Sequence, residues 1–267
     1  MLLGASALNR LSGRFEMSAR FTQEALALAL ETDDKKSVAH SLYQLGFIAL
    51  DDEDFIRAES LFQEGLSFAK DSGDKQILGL LFNGLGEISR LREDYGTAAE
   101  FYSQALAYNR EAGDLVRQTT NLINLGATAI SRQDLAAAGT FYHEGLKISS
   151  GMADMNGTLY CLEGVAGAYW SVRDPEKAAL LFGAAEASRQ ALNLFIEPAD
   201  RLPYDRSVLL VRSSLTEETF AGFFAMGRKL ELEEAVTIAL AQIPNDAEHF
   251  HLKMQKPARK QGRNMQH

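Results

Sequence analysis

The side chains able to do covalent or metal chemistry are few in this sequence, and their spacing is wrong for it. The single cysteine, Cys161, has no histidine near it in the chain, so nothing in sequence would turn its thiol into a nucleophile. It reads instead as a small core residue. Five histidines include no His-Glu-x-x-His, and one cysteine cannot supply the thiolate pairs of a structural zinc site. His249 and His251 flank Phe250 in a polar end segment without a fixed geometry for metal. His143 and Glu144 read as solvent-facing on a helix. The phosphate-cradling Gly-x-x-x-x-Gly-Lys-Ser/Thr is absent, as is a Gly-x-Gly-x-x-Gly after a strand. Carboxylates crowd together at Asp51-Asp52-Glu53-Asp54. An acid–base pair needs a closed pocket to raise one of its pKa values, whereas clusters at helix turns serve capping and solubility. The sequence therefore predicts no catalysis, no cofactor and no metal.

Composition narrows the setting. The chain has 267 residues, 46% of them hydrophobic, enough for one substantial fold or a stack of small units. No run approaches the roughly 18 apolar residues a membrane helix needs. Residues 1–20 lack the basic, apolar and small-residue blocks of a leader. A lone thiol fits a reducing, cytoplasmic compartment. The net charge of −9 opposes general nucleic-acid binding. After Pro244 the chain turns polar and basic, with Lys253, Lys256, Arg259, Lys260 and Arg263. Residues 244–267 are read as a disordered tail, and contact between it and nucleic acid is the alternative function.

Written in rows of forty, the sequence aligns with itself without a gap from about residue 14 to residue 186. Leu45-Gly46, Leu85-Gly86 and Leu125-Gly126 share a column, followed by Val165-Ala166. Ala58, Ala98, Ala138 and Ala178 form another; four residues on stand Phe62, Tyr102, Tyr142 and Phe182, then Gly65, Ala105, Gly145 and Ala185. Small residues let two antiparallel helices approach, and the aromatic ring fills the space beside them. Asp34, Asp74, Asp114 and Asp154, and twenty residues later Asp54, Asp94, Asp134 and Asp174, are predicted N-caps. Gly73 and Gly113 are predicted to close helices, and Pro175 sits at a first helical position. Every forty residues thus encode two helices and two tight turns.

Leu-Gly, then Ala-x-x-x-Phe/Tyr, then a small residue three further on resembles the tetratricopeptide (TPR) signature. The period of forty, the missing tryptophan and the missing closing proline depart from it and imply longer helices. The resemblance implies an all-α, right-handed superhelical solenoid of about five TPR-like pairs over residues 1–193. The extended period resembles TPR arrays of bacterial signalling ATPases (STAND) and LuxR-type regulators. Leu181-Phe182-Gly183-Ala184-Ala185-Glu186-Ala187, with Pro198, Arg201, Tyr204, Phe220-Ala221-Gly222-Phe223-Phe224 and Met226-Gly227-Arg228, is similar to the C-terminal ends of such multidomain regulators, including cyclase-linked ones. It is read as a cap of two or three short helices over 194–243, one starting at Thr216. Met1 opens inside what should be a first helix, and Arg14 stands where other repeats carry Asp. The expectation is a C-terminal piece of a longer regulator.

In TPR-like arrays the first helix of each pair lines a concave face, and carried over by register the resemblance assigns groove positions. They are His40, Tyr43, Phe47 and Leu50; Leu80, Asn83, Glu87 and Arg90; Thr120, Ile123, Ala127 and Ile130; and Tyr160, Glu163, Gly167 and Trp170. The implied function is non-catalytic binding of a protein or peptide, or a small effector, with signalling or transcription regulation as its setting.

Overall fold

A computed structural model describes residues 15–170, 173–196 and 198–241, and eight of its helices begin where the aspartates do. They are α1 (Phe15–Glu31), α2 (Lys35–Asp51), α3 (Phe55–Ser72), α4 (Lys75–Leu91), α5 (Tyr95–Glu111), α6 (Leu115–Ser131) and α7 (Leu135–Gly151). Then come α8 (Met155–Val165), continued by a π-turn at Ala166–Trp170, and α9 (Pro175–Leu192). Three more follow: α10 (Pro198–Ser213), α11 (Glu217–Gly227) and α12 (Leu232–Leu240). All eight predicted aspartates are N-caps, each carboxylate accepting the backbone N–H three residues on at 2.9–3.1 Å. Pro175 opens α9 and Thr216 caps α11.

The turns depend on glycine less than the sequence suggests. Gly73 and Gly113 have φ of 68°, but Asp33, Glu53, Glu93, Gln133 and Ala153 hold the same left-handed place with φ of 50–61°. What secures the turn is the next residue. Asp54 N–H, for example, donates back to Ala49 O at 2.8 Å, closing the last helical turn over the strained position.

Helices pair as α2 with α3, α4 with α5, α6 with α7, and α8 with α9, and α1 packs on α2. The small-residue columns explain the pairing. Ala58, Ala98, Ala138 and Ala178 are fully buried, and the rings of Phe62, Tyr102, Tyr142 and Phe182 lie in the core beside them. A Cβ at Gly86 or Gly126 would come within 2.7 Å of the Tyr102 or Tyr142 ring, so the Leu-Gly glycine is a seat for the aromatic. In the fourth pair Ala166 replaces that glycine, and there the helix widens into the π-turn, which makes room for the extra methyl. Cys161 is fully buried; a Cβ at Gly145 would stand 2.7 Å from its sulfur, and burial pushes the thiol pKa up.

First helices approach their successors closely. α2 meets α4, α6 meets α8, and Asn83 on α4 takes an amide hydrogen bond from Asn121 on α6 at 2.8 Å. Second helices stand farther apart, bridged by long side chains such as Arg110 reaching Glu144 at 2.5 Å. The array therefore curves with α2, α4, α6 and α8 on the inside. At the C-terminal end α11 and α12 cover α9. Gly183 and Gly227 bring α9 and α11 into backbone contact, a Cβ on either overlapping a carbonyl oxygen, of Phe224 or Leu180. Over the described residues the chain is an all-α repeat solenoid with a three-helix cap. The first 14 residues and the basic tail lie outside the described residues.

Candidate groove on the concave face

Along α2, α4 and α6 every groove position assigned by register is half-buried or exposed, the pattern of side chains that line a surface and still face solvent. Their characters differ by repeat. On α2, His40 stacks on Tyr43 (6.1 Å), Tyr43 meets Phe47 edge-on (5.0 Å), and Phe47 meets the buried Phe62 at 5.3 Å. This aromatic ladder runs from the groove rim into the core. His40 keeps a pKa below the ordinary histidine value, first because it is desolvated, with Arg117 and Lys36 reinforcing the effect against Asp74.

On α4 the groove is polar. Glu87 accepts hydrogen bonds from Arg90 Nε at 3.0 Å and from the Tyr102 hydroxyl at 2.9 Å. Hydrogen bonding to Glu87 raises the Arg90 pKa, while burial and then the Glu87 charge raise that of Tyr102. Glu87 thus anchors a half-exposed guanidinium in one orientation, suited to a carboxylate or a carbonyl of a partner. Asn83 accepts from both Asn121 (2.8 Å) and Asn124 (3.1 Å), and Asn109 donates to Asn121 at 2.7 Å. The sequence singled out Asn83 and missed the other three. A signal existed: Asn121 shares a column with Ser41, Leu81 and Cys161, and Asn109 with Ala29, Ala69 and Ser149. Polar amides facing one another across columns of smaller or apolar residues mark a buried network. On α6, Ile123 and Ile130 are half-buried against the core, with Ala127 exposed between them.

Where α2, α4 and α6 begin, a cleft of about 260 Å³ is lined by Lys36, Ser37, His40, Asp74, Gln76, Ile77, Leu80 and Arg117. Lys36 pairs with Asp74 at 2.7 Å, and Arg117 pairs with its own cap, Asp114. Of these lining residues only His40 and Leu80 were assigned from the sequence. The others occupy the first turns of helices, which register with the Leu-Gly column leaves out.

The fourth repeat differs. Glu163 is buried and held bidentate by Arg189 of α9, at 2.7 and 2.9 Å, and Arg189 also lies over the Tyr160 ring. Trp170 is 5% exposed, ends the π-turn and carries the Lys177 ammonium 3.7 Å from its ring centre. Glu163 and Trp170 therefore belong to the core between α8, α9 and the cap. Gly167, between them in register, is covered by Ser207 of α10. His143, read as solvent-facing, is half-buried, and burial lowers its pKa.

Among the described residues no three His, Cys, Asp or Glu side chains are grouped to hold a metal, and no helix is long and apolar enough to cross a membrane.

The same architecture recurs among solved structures. The chain is similar to BtubC (BKLC) from P. vanneervenii, with 20% identity and a TM-score of 0.60 over 94% of this chain and 96% of that one. It is similar to the apo form of RapI, with 14% identity and a TM-score of 0.65 over 88% and 83% of the two chains. A putative kinesin light chain from Podosopora anserina with nearly identical TPR-like repeats matches at 12% identity and a TM-score of 0.57, over 72% and 94%. The fold is that of a TPR-like repeat array. No family model matches the chain, and no curated protein matches it. At these identities the likeness is one of architecture, and function has to be argued from the groove.

Proposed function

We propose that this chain is a protein-interaction module that takes a segment of a partner protein along the concave faces of α2, α4 and α6. The observation that carries this reading is the contrast within those helices. Their inward columns repeat and are buried, while their groove-facing columns change from aromatic to polar to aliphatic and stay accessible. His40, Tyr43 and Phe47 would take apolar or aromatic side chains, Asn83 and Arg90 carbonyl or carboxylate oxygens, and Ile123 aliphatic groups. The cleft beside His40, at about 260 Å³, falls just below the roughly 300 Å³ where small-ligand pockets begin. It suits one side chain of a partner better than a separate effector. The wider setting, a sensor or scaffold within a bacterial signalling or transcription regulator, rests on the resemblance of residues 180–241, Leu230 to Val236 included, to the ends of such proteins. A cytoplasmic compartment rests on the lone thiol of Cys161.

The test is capture from an extract of the source cell with the whole chain as bait, beside a variant carrying Tyr43→Ala, Asn83→Ala and Arg90→Ala. A protein retained by the first and lost from the second, at equal helix content, supports the groove. A protein retained equally by both removes it. Recovery of nucleic acid that weakens steeply with salt and needs residues 245–267 would replace this reading with the tail-based one.

A further inference from the structure

In the first two complete repeats the residue after the Leu-Gly glycine covers the aromatic ring of its own repeat. Phe47 does so over Phe62, and Glu87 does so by hydrogen bonding to the Tyr102 hydroxyl. In the fourth repeat that position is Gly167, which has no side chain to offer. Tyr204 of α10 takes its place, its ring edge-on to Phe182 at 5.7 Å with an interplanar angle of 87°. Ser207 lies directly over Gly167; a Cβ built there would come 3.1 Å from Ser207 Cβ. Tyr204, Ser207, Val208 and Val211 follow the i, i+3, i+4, i+7 spacing of one helix face, and Val211 is fully buried. On other sides of α10, Leu202, Leu209 and Leu210 are 59%, 65% and 46% exposed.

α10 is also held differently from α11. α11 meets α9 backbone to backbone through Gly183 and Gly227, a contact with no slack. α10 meets the array through side chains and carries Pro203 within its length, which removes one backbone donor from the helix. It is tethered at both ends, to α9 through residues 193–197 and to α11 through residues 214–216.

We infer that the concave face of the fourth repeat is a receptor site for an amphipathic helix, and that α10 is its resident, tethered occupant. The helix it accepts carries an aromatic residue, a small residue three positions on, and aliphatic residues four and seven positions on. A partner helix with this pattern gains the site only while α10 is lifted, so its apparent affinity is reduced by the lifted fraction. This site is separate from the open groove on α2, α4 and α6 and does not depend on what binds there.

The probe is a labelled synthetic peptide of residues 196–214, titrated into the intact chain and into a variant carrying Tyr204→Asp and Val211→Asp, which lifts α10. The lifted variant should bind the peptide roughly tenfold or more tighter than the unaltered chain. Adding Gly167→Leu, which fills the seat of Ser207, should abolish that binding. Equal binding by the unaltered and lifted chains overturns the inference, as do binding that survives Gly167→Leu and failure of a fully helical lifted variant to bind. Should the lifted variant lose helix content, hydrogen exchange on the unaltered chain decides. α10 exchanging well ahead of α9 and α11 supports the inference; α10 exchanging together with them overturns it.

Discussion

The second and fourth complete repeats use the same columns to opposite ends. Asn83, Glu87 and Arg90 of one correspond to Glu163, Gly167 and Trp170 of the other. In the second pair they form a half-exposed polar strip, with Glu87 anchoring Arg90 toward solvent. In the fourth they are buried, with Glu163 locked to Arg189 and Trp170 under Lys177. The backbone register is shared; what stands opposite is not. Register along the array therefore does not decide burial; the groups set opposite do, here Arg189 and Lys177 of α9 and Ser207 of α10.

The comparison breaks most readily at its ion pairs. Glu163→Ala leaves the Arg189 guanidinium buried without its carboxylate and should cost about 3–5 kcal/mol in a denaturant titration. Arg90→Ala, which removes only the half-exposed partner and leaves Glu87 with the Tyr102 hydroxyl, should cost about 1 kcal/mol or less. Similar losses would mean that the fourth-repeat site is as wet as the second. The aromatic seats come next. Gly86→Ala drives a methyl into the Tyr102 ring and should lose about 1–3 kcal/mol. Ala166→Gly, where the helix is already widened, should change stability by about 1 kcal/mol or less. Asp154→Ala removes the cap of α8, a loss of about 1 kcal/mol that a thermal melt would register.

The smallest expected effect is on pH dependence. Folding holds His40 and His143 below the ordinary histidine value, so protonation weighs against the folded state once the pH falls below about 6.5. Asp74 and Asp114 are held below the ordinary carboxylate value, burial being outweighed by their hydrogen bonds and cations. Their contribution is complete above about pH 4 and is lost as the pH falls through the lower folded values. Melting temperatures should be flat between about pH 7 and 8, fall in two stages on acidification, and fall again in alkali because folding holds the buried Cys161 thiol neutral. His40→Gln should soften the upper stage and leave the lower one intact.

Much of the fold was legible because repetition multiplies weak signals. One Asp before an apolar run is a poor helix start, but eight at intervals of twenty residues leave little choice, and each one caps a helix. The Leu-Gly column was legible for the same reason, as was the burial of Cys161 among small neighbours. The turns were less so. Glu53 and Gln133 adopt left-handed backbone because the following Asp N–H reaches back across them, a tertiary fact that no propensity expresses. On α2, α4 and α6 the assigned groove positions stay accessible, whereas on α8 Glu163 and Trp170 are buried. Glu163 is closed off by Arg189 and Trp170 lies under Lys177, cross-helix contacts with α9 that the Leu-Gly register does not express. The Asn109–Asn121–Asn83 chain went unread because each amide was judged alone, whereas its meaning lies in a partner one helix away.

The most direct test is hydrogen exchange on the whole chain, with and without a partner recovered by the intact groove. The account predicts new protection along α2, α4 and α6, centred on residues 37–50, 77–90 and 117–130, with α3, α5 and α7 unchanged on their outer faces. Protection confined to α3, α5 and α7, or to α11 and α12, would place the binding surface elsewhere and contradict it.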